Sequence, residues 1–219
     1  MSVAVAPASL LAPAPVAALR LAVDAGCRDH AAADALVDRV CGWVRAATLG
    51  RVPEPAVAST HLAPGPRPRV VVVATWHATP DLDTTLAAAL LTRAGRELAA
   101  SAVVVQTASI RLTSPGRDPG GAWLALAEHE QRRSGRLVRF AGHDRLAGSL
   151  TVRQVESTTA VERVEGLAGC EVSPDSVLHL DGWARPTWTD RGCVLLVQRG
   201  ARGLVPYEAR HQQACCVDH

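Results

Sequence analysis

The chain has 219 residues, 48% of them apolar, and a net charge of +2, with no lysine and no asparagine anywhere. Without lysine there is no P-loop, no Schiff-base or pyridoxal chemistry and no Ser-Lys nucleophile pair; without asparagine there is no N-linked glycosylation. So small a charge sets up no field toward nucleic acid or an anionic membrane, and no apolar run approaches the ~20 residues of a membrane span, so neither is expected as a partner.

Residues 1–20 are rich in alanine and proline. Pro7, Pro13 and Pro15 interrupt any apolar helix, and the basic start of a signal peptide is missing, so the segment reads as a mobile arm. Six cysteines are too sparse for a disulfide scaffold, which leads to the expectation of a reduced, cytoplasmic location. Ile110, Phe140 and Tyr207 are the only residues of their types. The types that are scarce or missing use AT-rich codons, which points to a bacterial, high-GC genome. The core must then be built from valine, leucine, alanine and five tryptophans.

The first predicted helix runs from Asp29, its N-cap, to about Thr48, with Gly50 as its stop. Leu36, Val37, Val40, Val44 and Ala47 form its buried stripe; Asp34, Asp38, Arg39 and Arg45 lie largely off it. Pro53, Pro55, Pro64, Pro66 and Pro68 then predict an extended linker with no regular element. Val70–Ala74 is a continuous β-branched run and reads as a strand buried on both faces, as in a parallel sheet. Thr79 and Pro80 give the start of a second helix, with Asp81 and Asp83 in its first turn. A second apolar strand, Ala102–Val105, follows, and together these predict a right-handed β-α-β unit of parallel strands. Thr113–Gly121 is a loop, and Ala122 to about Arg133 a short helix with Glu128 and Arg132 as an i,i+4 pair.

From there, short strands alternate with turns: Leu137–Phe140, Val177–Leu180, Cys193–Gln198 and Leu204–Tyr207, with a hairpin turn at Asp190-Arg191-Gly192. Part of Leu150–Val164 leans to helix. The expectation is an α/β fold: an α/β region over 21–142 with parallel strands, then a smaller β-rich region over 143–219, the two forming either separate units or one continuous domain.

Ligands in open α/β sheets bind beyond the carboxyl ends of the strands. Those ends carry His77, a candidate base, and Gln106 with Thr107. Thr79 at the helix start and Arg117 in the glycine-proline loop are candidate anion contacts. Asp81-Leu82-Asp83-Thr84-Thr85 matches the D-x-D-x-T string of haloacid-dehalogenase-like phosphatases, but Pro80 and several residues separate it from the strand, so the string stands without its context. Cys27-Arg28-Asp29-His30 recurs as Cys216-Val217-Asp218-His219 at the end, after Cys215. Thiolate and imidazole suit zinc or another thiophilic metal, so Cys27, His30, Cys215, Cys216 and His219 form a candidate metal set, though no C-x-x-C or H-E-x-x-H spacing accompanies them. Cys41, Cys170 and Cys193 read as small core residues. Arg132, Arg133, Arg136 and Arg139 form a basic stretch, and Trp183 and Trp188 an aromatic turn.

Two functions follow as expectations. One is a metal- or thiol-dependent small-molecule site that combines the strand ends with the Cys/His tail. The other is a non-catalytic regulatory or assembly module with a protein partner or a second copy of itself, bound through Trp183 and Trp188.

Overall fold

The computed structural model describes residues 18–52, 54–77, 84–98, 101–107, 110–115 and 118–208. Its first half contains β1 (Ala18–Cys27), α1 (His30–Ala47), β2 (Val57–Ala63), β3 (Arg69–His77), α2 (Thr84–Glu97), β4 (Ala102–Gln106), β5 (Arg111–Thr113) and α3 (Gly120–Glu130). α1 starts where its cap dictates: Asp29 accepts from the Ala32 amide at 2.7 Å. It ends in a left-handed turn at Leu49 and Gly50, with the Gly50 amide on the Arg45 carbonyl.

β1 pairs antiparallel with β3 on one side and with β4 on the other, and β2 pairs antiparallel with β3. The resulting order β4-β1-β3-β2, with a helix after β1 and another after β3, is the split β-α-β, or ferredoxin-like, arrangement. This corrects the expected parallel unit. β3 and β4 are not neighbours, because β1 lies between them, and the sheet is largely antiparallel. The valine run is buried on both faces for another reason: helices cover both sides. Val70 and Val72 pack with α1 and α2, while Val71 and Val73 pack under Ala122, Ala125 and Leu126 of α3.

The proline-rich linker also differs from expectation, since it contains β2. Val57–Ala63 is free of proline; Pro55 and Pro64 bracket the strand and do not enter its ladder. α3 spans Gly120–Glu130. Arg132 lies past its end at φ +53°, and Glu128 turns to His61 instead of Arg132.

The second half contains β6 (Arg136–Arg139), β7 (Ala147–Thr151), α4 (Val152–Thr158), β8 (Arg163–Gly166), β9 (Val177–Asp181), β10 (Thr187–Thr189), β11 (Gly192–Gly200) and β12 (Gly203–Pro206). β6 pairs with β2, and the sheet continues as β6-β10-β11-β12-β9-β7, with β8 parallel to β11. The four strand-like pieces read from the sequence are strands, and α4 begins at a capping box of Thr151 and Gln154. The core of this half gathers Leu137, Phe140, Val155, Leu178, Trp188 and Leu195. Cys41 and Cys193 are buried core residues, as expected. Burial raises their thiol pKa values to about 11 and about 12, so neither is a reactive thiolate at neutral pH. Among the described residues, no helix is long and apolar enough to cross a membrane.

Candidate functional site

Side chains alternate between the two faces of a strand, and on β2 that alternation separates two polar systems. Ser59 and His61 face α3; Thr60 and Leu62 face α1 and the second half.

On the α3 face, three consecutive residues at the end of α3 each reach the sheet. Glu128 Oε2 is 3.1 Å from His61 Nδ1. His129 Nδ1 is 2.6 Å from Ser59 Oγ, and its Nε2 is 2.8 Å from Thr75 Oγ1. Glu130 accepts from Gln106 Nε2 at 2.6 Å and pairs with Arg20 at 3.4 Å. Ser59 Oγ also lies 2.8 Å from His61 Nε2.

Burial lowers the pKa of both imidazoles, that of His129 to about 3, with His61, Arg20 and Arg132 adding to the effect; hydrogen bonding to Glu128 only partly offsets the burial of His61. Both rings are therefore neutral at pH 7, and one proton arrangement satisfies every contact. A carboxylate only accepts, so His61 donates from Nδ1 to Glu128 and accepts at Nε2 from the Ser59 hydroxyl. His129 then donates from Nδ1 to Ser59 Oγ and accepts at Nε2 from the Thr75 hydroxyl.

The order Ser59–His61–Glu128 has the atom sequence of a nucleophile, its base and an orienting carboxylate. Access decides its role. Ser59 is fully buried and His61 nearly so, and Gly135 closes over them: a Cβ there would sit 2.6 Å from His61 Cε1 and 3.0 Å from Trp188. No substrate reaches this serine, so the network is a polar core that fixes α3 on the sheet.

The other face of β2 opens into a cleft of about 290 Å³ between the two halves. Its floor is a row of cross-strand neighbours, Thr60 on β2, Arg136 on β6 and Thr187 on β10. Its apolar wall includes Leu196 and Tyr207, with Leu62 at the rim and His30 at the start of α1. Leu62 and Tyr207 are exposed.

The charged groups of the floor come from four separate places in the chain. Arg136 donates from Nη1 to Asp34 Oδ1 at 2.7 Å and from Nε to Glu208 Oε2 at 2.7 Å. Its Nη2 reaches both carboxylates. Arg185 donates from Nε to Asp34 Oδ2 at 3.1 Å, and its guanidinium stacks 3.5 Å from the Trp183 ring centroid. Burial works against the charge of both arginines. At Arg136 the hydrogen bonds to Glu208 and Asp34 outweigh it and raise the pKa; at Arg185 burial outweighs Asp34 and lowers it. Thr60 Oγ1 is buried and has no hydrogen-bond partner among the described residues.

No protein family matches the chain, and no curated protein or solved structure matches it either. The site is therefore read from its own chemistry.

The residues expected from the sequence fall into separate places. His77 is exposed at the end of β3, opposite Ala18. Gln106 is opposite Arg20 on the far side of β1, so β1 separates it from β3. It is buried and held by Glu130, and Thr107 accepts from the Ile110 amide. Cys27 pairs with Val70, seven positions along β3 from His77 and so roughly 23 Å away. His30 lines the cleft. Thr79, Arg117, Cys215, Cys216 and His219 lie outside the described residues.

Asp34, expected at the surface, is buried, because Arg136 and Arg185 from the second half cover it. The basic stretch is not a free cationic face. Arg136 is buried in the cleft, and Arg139 pairs with Asp38 at 2.7 Å. Trp188 is buried and packs edge-on against His129, which removes it from any docking surface. Among the described residues, no three His, Cys, Asp or Glu side chains converge as a metal site would need.

Proposed function

We propose that this protein binds a small organic molecule in the cleft between its two halves. The ligand's apolar body lies against Leu196 and Tyr207, and its polar end meets the row Thr60–Arg136–Thr187. The observation that carries this reading is Thr60 Oγ1, a buried hydroxyl without a partner on the floor of a cleft. An unpaired buried hydroxyl costs about 1 to 3 kcal/mol, and a ligand group in the cleft removes that cost. An apolar wall with a few convergent polar groups at a junction between substructures is the usual form of a small-molecule site.

Tyr207, the only tyrosine, gives a direct test. Protein labelled with 3-fluorotyrosine has a single fluorine resonance, at the rim of the cleft. Titration with benzyl alcohol, a small amphipathic probe, should shift that resonance saturably. A resonance that does not move up to the solubility limit of the probe would remove the reading.

A second reading, a thiophilic metal site built from Cys27, His30, Cys215, Cys216 and His219, has one observation in its favour. His30 and Glu208 line the same cleft, and the seven positions from Glu208 to Cys215 reach at most roughly 24 Å when extended. Zinc in the native mass of untagged protein, lost in a Cys215→Ser, Cys216→Ser double variant, would support this reading. A mass equal to the bare chain, together with no loss of stability on chelation, would end it.

A further inference from the structure

The geometry points to a carboxylate as the polar end of the cleft's ligand, and to Glu208 as its internal stand-in; this inference rests on the ligand-binding reading above. Among the floor's charged groups, Arg136 and Arg185 set two positive charges against the single negative charge of Asp34. Asp34 is fixed: it sits on α1, is buried, and bonds both arginines. The remaining positive charge is met by Glu208, which stands two residues past the end of β12 with its side chain about one third exposed.

The contact made by Glu208 is the one a ligand carboxylate would make. Both of its oxygens lie on the Arg136 fork, with Nε at 2.9 Å from Oε1 and 2.7 Å from Oε2. Planar, two-point contact of this kind is where arginine is selective for carboxylates. Thr60 and Thr187 flank Arg136 in the same row, one strand to each side. A carboxylate that entered with an apolar body behind it would take the fork from Glu208, satisfy Thr60 Oγ1, and leave the site's charge balance unchanged. Glu208, already partly exposed, would turn to water. The ligand class is thus a small monocarboxylate with an apolar or aromatic body, and Glu208 sets its apparent affinity by competing for the same guanidinium.

The test is a set of titrations of full-length protein, followed by the Tyr207 fluorine resonance, in the wild-type chain and in Glu208→Gln. The probes are benzoate, benzyl alcohol and inorganic phosphate. If Glu208 holds the fork nine-tenths of the time, its removal strengthens benzoate binding about tenfold and leaves benzyl alcohol unchanged. Glu208→Ala, which leaves no side-chain amide to reach the fork, should give the same ratio. Benzoate binding that is equal or weaker in both variants overturns the competition. A gain for phosphate as large as that for benzoate overturns the carboxylate assignment in favour of oxyanions generally. Absence of any response to all three probes, in wild type and variants alike, overturns the cleft reading itself and this inference with it. Circular dichroism and thermal melts of each variant check that the fold is retained, Arg136 keeping its bond to Asp34 in both.

Discussion

His129 on α3 and Ser59 on β2 lie 70 positions apart in the chain, yet His129 Nδ1 stands 2.6 Å from Ser59 Oγ inside the core. Around that contact a directional chain of hydrogen bonds runs from Thr75 through His129, Ser59 and His61 to Glu128. It locks the end of α3 to β2 and β3. The apolar first part of the helix is held by burial of Ala122, Ala125 and Leu126, with the Arg111 guanidinium over the Trp123 ring.

Ser59→Ala removes a donor and an acceptor in the middle of this chain. His61 Nε2 and His129 Nδ1 lose their partner in a space too closed for water to replace it, and the expected loss is about 1 to 3 kcal/mol. Urea denaturation should show a lower midpoint with an unchanged slope. An unchanged midpoint would mean that the two rings find other partners.

The same network makes stability depend on pH. The pKa of His129 falls from 6.5 to about 3 in the folded protein, so the unfolded chain binds more protons between those values. The contribution of His129 is fully present above about pH 6.5 and is lost progressively as pH falls toward 3; at pH 5 the loss is about 2 kcal/mol. His61, lowered by burial as well, acts in the same direction. Denaturation midpoints measured at pH 7.5 and at pH 5 should differ accordingly, and His129→Gln should flatten the dependence. Equal midpoints at the two pH values in the wild type would contradict the assignment of neutral, buried rings.

Asp34 is the fixed counter-charge of the cleft. Asp34→Asn leaves Arg185 without its carboxylate and Arg136 with Glu208 alone, in a buried setting. Breaking a buried pair from one side is expected to cost about 3 to 5 kcal/mol, far more than removal of a surface aspartate such as Asp38. Thermal melts of Asp34→Asn beside Asp38→Asn would check this; equal, small shifts would show that Asp34 is not holding the two halves together.

Local signals in the sequence identified local structure. The cap at Asp29, the stripe of α1, the valine run of β3 and the four strands of the second half could all be read, because each is set by neighbours in the chain. The direction of strand pairing could not. A continuous apolar run reports burial on two faces, and here α1 and α2 on one side and α3 on the other supply it, with β1 inserted between β3 and β4. β1 itself was hidden behind an alanine-rich segment, and Asp24 in its second half argues against a central strand until Arg69 is seen 3.0 Å away.

The cleft was harder still. Asp34, Arg136, Arg185 and Glu208 each resemble surface residues, and no spacing links them, since up to 151 positions separate a contacting pair. One signal was present and unread: Glu128-His129-Glu130 closes a helix that is otherwise apolar on its buried side. Three polar residues in a row there called for polar partners on the sheet.

The measurement closest to the central claim is a set of intermolecular nuclear Overhauser effects between bound benzoate and the full-length protein. The account predicts contacts from the ring protons to the Leu196 methyl groups and to Tyr207, with the carboxylate end nearest the Thr60 methyl. Contacts confined to any other part of the molecule, or none at saturating benzoate in both the wild type and Glu208→Gln, would contradict it.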